Sequence, residues 1–303
     1  MLKEKIKAYL DLTRAHFAPV WPLLFISGLM LAFRDYNYFS WSLFIRVFII
    51  GLFGFEAGMV LNDIVDRNTD KLAVDNKFTN YWRPFNERPM SSGIISTKAA
   101  LVLFFSFVAI SVIFIATLPF PNYLYVYIIM IYAYSMEIFY QLKKRNQKFP
   151  FAQLFGRTDF LLFPVAGYLC YGNLSFTILL YMIFFYPWAL AHLGVNDLAD
   201  YDNDLAKNIK TITVLYGVKG NATWILVFTL IHLAVAPFFV LLEMGLIALI
   251  GFTFGFIILI ISNLRLLKNK TPATAFKILP MYHLTLFIYI LSIIVDSFFA
   301  VPI

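Results

Sequence analysis

Nine apolar runs dominate this chain, at residues 17–33, 41–61, 99–119, 122–142, 158–174, 176–195, 222–242, 244–264 and 279–298. Each is close to the roughly 17–25 residues that cross about 30 Å of hydrocarbon as a helix. With 61% hydrophobic and 14% charged residues in a length of 303, the chain lacks the polar surface to coat one soluble globule. The expected fold is all-α: a polytopic membrane protein with nine transmembrane helices in one bundle. The fifth run is the weakest of the nine, because Pro164, Gly167 and Gly172 interrupt it.

The charges fix a direction for that bundle. Lys and Arg crowd the cytoplasmic side of multi-span proteins. With the N-terminus inside, the N-terminal segment and the stretches after spans two, four, six and eight carry 22 of the 24 basic residues, leaving Arg34 and Arg46 outside. One span more or fewer in the middle would scramble this asymmetry. The net charge of +7 therefore reads as topology, and no nucleic-acid partner is expected. The expected location is integral to the cell membrane, with the N-terminus cytoplasmic and the C-terminus outside. Residues 1–16 place Leu2, Ile6, Tyr9 and Leu10 at helical spacing, which suits a short helix on the inner surface. No small-residue cleavage site follows the first span, so it reads as a retained span rather than a signal peptide. The single cysteine, Cys170, excludes an internal disulfide and a multi-cysteine metal site. No obligate protein partner is evident.

Just after spans two and six the chain repeats one acidic pattern, N-D-x-x-D-x-x-x-D. The copies are Asn62, Asp63, Asp66 and Asp70, then Asn196, Asp197, Asp200 and Asp204. Four helices lie between them, an even number, so the parent helices run the same way and both acidic ends reach the same face. This is the footprint of a parallel repeat: one domain of two four-helix halves, about 14–145 and 150–266, with a ninth helix at about 278–298. Offsets of 0, 3 and 7 fall within an arc of about 60° on a helix, so each copy is expected as a ladder of carboxylates on one face. Three like charges so placed repel and call for a counter-ion. Hard oxygen ligands without His or Cys favour Mg²⁺ over zinc. A lone D-x-x-x-D at a helix end is ordinarily a solvated face; two copies at matching membrane depth are not so easily dismissed. Ion-carrying acids of transporters sit near the midplane, whereas these lie at the inner boundary. A ligand with an anionic head there and a tail in hydrocarbon has the shape of a polyisoprenyl diphosphate.

Phosphate oxygens left over by the metal would need Lys or Arg. Arg67 stands within the first acidic copy and Arg83 and Arg88 follow it, while Lys207, Lys210 and Thr211 follow the second. Span four ends in "YSMEIFYQLKKRNQK", where Tyr140 and Lys144 stand one turn apart with Lys143 between them, and Arg157 marks the mouth of span five. Each of these cations also has an ordinary reading as a positive-inside charge, and Tyr140 as an interfacial anchor. Glu56, two turns before Asp63, must face the bundle interior. His192, one turn before Asn196, suits the acceptor side or a supporting role. A multi-span transporter of an anionic or cation-coupled solute is the rival reading, but polar groups at mid-membrane are few. A membrane alcohol phosphotransferase would need D-G-x-x-A-R, which is absent.

On these residues the chain resembles the UbiA superfamily of intramembrane prenyltransferases. The likeness rests on "NDIVDRNTD" after span two, "RPMSSGIIS" before span three, Tyr140-x-x-x-Lys144, and "DYDND" followed by "KNIKTITVLYG" after span six. It implies a nine-helix bundle open sideways to lipid, and Mg²⁺-dependent transfer of a prenyl group from an isoprenyl diphosphate donor to a lipophilic, often aromatic, acceptor. It further implies Asn62, Asp66, Asp70, Asp200 and Asp204 as metal or diphosphate residues, with Asp63 and Asp197 close by. Arg67, Arg88, Lys144 and Lys210 become diphosphate partners, to which Lys143, Arg157 and Lys207 are added. Tyr140, Asp66 and Asp200 are the expected catalytic residues. Two departures stand out. The Arg-Pro expected near the first span is Arg14-Ala15, with His16 at the acceptor side, and 17 residues separate Asp70 from Arg88 where a shorter link is usual.

Overall fold

The computed structural model describes residues 2–86 and 88–301. Among them all regular structure is helical. A surface helix, α1 (Leu2–Leu12), precedes α2 (Val20–Asp35) and α3 (Trp41–Asp66). After a 3₁₀ turn (Asp70–Leu72) come α4 (Lys77–Trp82), α5 (Thr97–Ile115), α6 (Asn122–Lys143), α7 (Phe151–Gly156), α8 (Thr158–Leu169) and α9 (Phe176–Ala199). The chain closes with α10 (Tyr201–Ala206), α11 (Ile212–Glu243), α12 (Leu246–Lys268) and α13 (Pro272–Ala300).

Hydroxyl caps start four of the long helices. The side chains of Ser40, Ser96, Ser175 and Thr271 accept hydrogen bonds from the amides of Leu43, Ala99, Ile178 and Thr274, satisfying donors that a helix start leaves orphaned. Seven helices, α3, α5, α6, α9, α11, α12 and α13, are long and apolar enough to cross a bilayer. The expected count of nine meets two shorter elements: the first run forms α2, of 16 residues, and the fifth forms α8, of 12. The fifth run falls short because α8 ends at Leu169, before Gly172 and the end of the run, while the break from α7 at Gly156 keeps the helix from extending backwards.

These two short helices cross at the centre of the molecule, in contact through bare backbone. A Cβ on Gly28 would land on the carbonyl oxygen of Pro164, and one on Gly167 on the carbonyl oxygen of Phe25. Only glycine permits so close an approach of two helix backbones. Around this crossing α3 packs on α5 and α9 on α11, while α13 touches α2, α9 and α12. Gly217, at φ +69°, breaks α11 after its first turns. The main apolar core lies among α2, α8, α9, α11, α12 and α13. On α1, Leu2, Ile6, Tyr9 and Leu10 are exposed while Ala8 and Leu12 are buried.

The expected carboxylate ladders are not continuous helical faces. α3 stops at Asp66 and Asp70 opens the 3₁₀ turn. α9 stops at Ala199, Asp200 forms the junction, and Asp204 sits on α10. Both acidic copies thus bend at their middle aspartate, so the last carboxylate of each is carried by a separate short element.

Candidate active site

Both bent segments open onto one cavity of about 270 Å³. The first half contributes Asn62, Asp66 and Asp70, and the second Asn196, Asp197, Asp200 and Asp204. Tyr140 and Lys144 reach it from α6, Arg157 from the α7–α8 junction, Arg88 from the long link, and Lys207 from the end of α10. His192 lines it one turn before Asn196.

The two copies differ in how their charge is met. In the first, Lys144 Nζ lies 2.8 Å from Asp66 Oδ2 and Arg145 2.9 Å from Oδ1. Asp70 Oδ1 takes both Arg88 and, from the opposite half, Lys207 at 2.7 Å. Burial alone would push the Asp70 carboxyl up, but Lys207 and Arg88 hold it down at about 2. The second copy has no basic partner within salt-bridge distance among the described residues. Asp197 accepts from the Ile212 amide at 3.1 Å, Asp200 from Asn203 at 2.6 Å and Asp204 from the Thr211 hydroxyl at 2.9 Å. Burial, then the neighbouring Asp200 and Asp197, push the Asp204 carboxyl well above the usual carboxylate range. Carboxylates that raise one another in this way favour a cation among them.

Two further buried atoms, on residues that line the cavity, have no partner among the described residues. Asn196 Nδ2 donates to the His192 carbonyl at 3.3 Å, which turns Oδ1 away, and this buried oxygen accepts no hydrogen bond. Arg157 Nε is likewise buried and unbonded, and the guanidinium, 5.2 Å from the Phe160 ring centroid, makes no salt bridge among the described residues. An unbonded buried group is costly unless a ligand meets it. Among the described residues no three acidic, His or Cys side chains converge closely enough to hold a metal unaided. The donor set of oxygens alone, an orphaned amide oxygen and under-neutralised carboxylates fits Mg²⁺ completed by ligand oxygens. Asn196, Asp200 and Asp204 would hold it on one side, and Asp66 and Asp70 on the other.

Tyr140 stands at the cavity wall with the Lys144 ammonium 5.1 Å from its ring centroid. Its hydroxyl makes no hydrogen bond within the described chain. Gly156 of α7 leaves the room for it, since a Cβ there would come within 2.7 Å of Tyr140 Cβ.

Six expected site residues lie off the cavity. Asp63 is held by Arg14 at 3.0 Å and Arg83 at 2.8 Å, so it anchors cations instead of facing a ligand. Arg67 turns back onto the Ile64 carbonyl at 2.8 Å. Lys143 is half-buried at the end of α6 and does not line the cavity, and Lys210 Nζ bonds Asn208 while its amide donates to the Lys144 carbonyl at 2.7 Å. His16 meets the Tyr81 carbonyl at 3.1 Å. Glu56 is buried as expected, yet neither carboxylate oxygen is bonded.

Several lining groups carry no motif and escaped the sequence reading. Asp159 sits on the wall beside Glu137, and Trp21, Phe55 and Trp82 form an aromatic end, with Trp21 and Phe55 stacked at 4.3 Å. His283 of α13 lies 2.8 Å from His192 and 2.6 Å from the Tyr81 hydroxyl. Arg83 and Arg88, both named from the sequence, divide between the acids of the first copy, Arg88 on Asp70 and Arg83 on Asp63.

Fold and cavity together define a helical membrane protein with one cavity lined by acidic, basic and aromatic side chains. The UbiA prenyltransferase family model matches residues 20–291, and the chain belongs to that family; it is a prenyltransferase. It is 28% identical over 224 residues, 72% of each chain, to a 4-hydroxybenzoate octaprenyltransferase of Vibrio atlanticus (strain LGP32). Its fold is that of a UbiA homologue from Aeropyrum pernix K1 (TM-score 0.74, 20% identity, covering 93% of this chain and 98% of that one). It is also that of a UbiA homologue from Archaeoglobus fulgidus bound to DMAPP and Mg²⁺ (TM-score 0.69, 17% identity, 95% and 99% covered).

Proposed function

We propose that this chain moves a prenyl group, with Mg²⁺, from an isoprenyl diphosphate to an aromatic or other lipophilic acceptor and releases diphosphate. The observation that carries the reading is the shared cavity: acids from two segments 134 residues apart in sequence, with Lys144, Arg157, Arg88 and Lys207, surround one space.

In the reaction the prenyl carbon–oxygen bond breaks with its electron pair leaving on the diphosphate. The acceptor then supplies the pair for the new bond and loses a proton. Bound Mg²⁺ would neutralise charge building on the leaving group. Arg157, which makes no salt bridge among the described residues, adds to that stabilisation, and Lys144, Arg88 and Lys207 can exchange an aspartate for a phosphate oxygen. The Tyr140 face is placed to stabilise a cationic prenyl carbon. Phe55, Trp21 and Trp82 exclude water from that end of the cavity.

An aromatic acid suits the aromatic end of the cavity as acceptor. There Arg14 and Arg83 share the single negative charge of Asp63, and the name of the Vibrio relative specifies such an acceptor. The Archaeoglobus homologue's bound DMAPP and Mg²⁺ support the donor class and the metal. The reading includes nine crossings, with α2 and α8 as short spans, in one domain of two halves. The N-terminus and acidic segments lie on the cytoplasmic face of the cell membrane, and the C-terminus outside.

Purified protein incubated with a panel of prenyl diphosphates and acceptors, followed by mass spectrometry, tests it. Asp66→Ala and Asp200→Ala are expected to abolish product while the protein stays folded, and chelator is expected to abolish binding of a non-hydrolysable donor analogue. Near-normal turnover in either variant, or analogue affinity equal with and without chelator, refutes the reading.

A further inference from the structure

Asn203 lies between Asp200 and Asp204 on α10, and only 2% of its surface is exposed. Its Oδ1 accepts from the amides of Val74 at 2.8 Å and Asp75 at 2.9 Å. Its Nδ2 donates to the Asp75 carbonyl at 3.0 Å and to Asp200 Oδ1 at 2.6 Å. A side-chain amide offers two donors and two acceptor lone pairs, and here all four are used. No other residue type of this length satisfies the set: Asp lacks the donors and Ser lacks the reach. A fully satisfied buried network of this kind admits one orientation.

The groups it joins come from opposite halves. Residues 73–88 form the long link after the first acidic segment, and Phe78, Thr79, Trp82, Arg83 and Arg88 of this link line the cavity. Other contacts pin the link, through the Phe85 amide on Asp11 Oδ1, Tyr81 on His283, and Arg83 and Arg88 on Asp63 and Asp70 of the first acidic copy, but none of those reaches a carboxylate of the second acidic segment. Asn203 does. Asp200 has no salt bridge among the described residues, so the neutral Asn203 donor is what orients it. That contact leaves the second carboxylate oxygen without a hydrogen bond from the described chain.

We propose that Asn203 is a positioning residue: it ties the 73–88 link to the second acidic segment and thereby aims the free Asp200 oxygen at the ligand. It acts through Asp200 and the link, without touching substrate. The activity arm of this proposal rests on the prenyl-transfer reading; the structural arm does not.

Two variants separate the two contacts. Asn203→Asp keeps an acceptor for Val74 and Asp75 but sets a carboxylate against Asp200, whereas Asn203→Ala removes all four bonds. The readouts are amide hydrogen exchange across 70–88 without substrate, affinity for a non-hydrolysable prenyl diphosphate with Mg²⁺, and kcat and KM. Asn203→Ala is expected to accelerate exchange at the Val74 and Asp75 amides about tenfold or more. Asn203→Asp should leave that exchange near wild type. Both should weaken Mg²⁺-dependent analogue binding about 10- to 100-fold, the usual cost of losing a group that orients a metal ligand, and lower kcat more than they raise KM.

Unchanged exchange in a folded Asn203→Ala, or unchanged affinity in Asn203→Asp, overturns the proposal. Should Asn203→Ala fail to fold, Asn203→Asp decides through its affinity. If wild-type protein binds no prenyl diphosphate at all, the functional reading fails, and the exchange result still decides whether Asn203 ties the link.

Discussion

Lys144 Nζ lies 2.8 Å from Asp66 Oδ2, so the end of α6 closes on the end of α3 across the cavity. The same Asp66 keeps Arg145 on its other oxygen, which means the carboxylate would not stand alone if the lysine were removed. Lys144→Ala is therefore expected to fold, with thermal stability a few degrees below wild type. Its turnover should fall about 10²–10³-fold, the range for removing one preorganised donor from developing negative charge. Single-turnover product formation checks this, and a loss below threefold would mean that Lys144 serves only to hold Asp66.

Tyr140 owes its position to a missing side chain. Gly156→Ala would place a methyl 2.7 Å from Tyr140 Cβ and 2.8 Å from its ring, forcing the ring toward the cavity. A displacement of this order costs up to about 10²-fold in a positioned site. Gly156→Ala is expected to lose activity by about that factor, while Tyr140→Phe, which keeps the ring face, should lose far less. Comparable losses in the two variants would shift the importance from the ring to the hydroxyl.

How much of this could be read from the chain depends on distance along it. Helix positions followed from apolar length, and every apolar run became a helix, because in hydrocarbon the backbone has no other local way to bond itself. Residues of both N-D-x-x-D-x-x-x-D segments do line one cavity. The assumption that failed was that a helical face extends through Asp70 and Asp204. Each copy bends, and the bend lets Lys207 of one half reach Asp70 of the other, a pairing no spacing rule encodes. Asp63 misled for a related reason. It is on the helix beside Asp66, but 3.0 Å and 2.8 Å contacts from Arg14 and Arg83 claim it from the far side, and those arginines come from a loop and a link with no periodicity. Asp159, His283 and Asn203 were illegible because each matters only through partners brought close by packing.

Membrane orientation is open to a direct measurement. Cys170 is 0% exposed and is expected to be silent to a membrane-impermeant maleimide. A cysteine at Lys71, exposed beside the acidic segment, should label only when the cytoplasmic face is accessible. One at Leu174, 79% exposed in the connection between α8 and α9, should label from the outside in intact cells. Labelling of both from one side would mean that an odd number of crossings does not separate them, contradicting the direction drawn from the basic residues.

The crossing of α2 and α8 sets a stability test that does not depend on any ligand. Gly28 and Gly167 bring the two backbones together at Pro164 and Phe25, and neither obstructing carbonyl belongs to a flexible side chain that could swing aside. Gly28→Ala or Gly167→Ala must then push the helices apart along their length. The cost is expected to be about 3 kcal/mol, the upper part of the overpacking range, seen as a clear drop in the unfolding midpoint in detergent. Gly58→Ala, on α3 where a Cβ meets nothing within 4 Å, is the control and should be neutral or slightly stabilising, since alanine restricts the unfolded chain more than glycine does. Because α2 carries Trp21 and α8 carries Asp159 and Phe160 to the cavity wall, the crossing variants should also lose turnover before they lose the fold, whereas the control should lose neither.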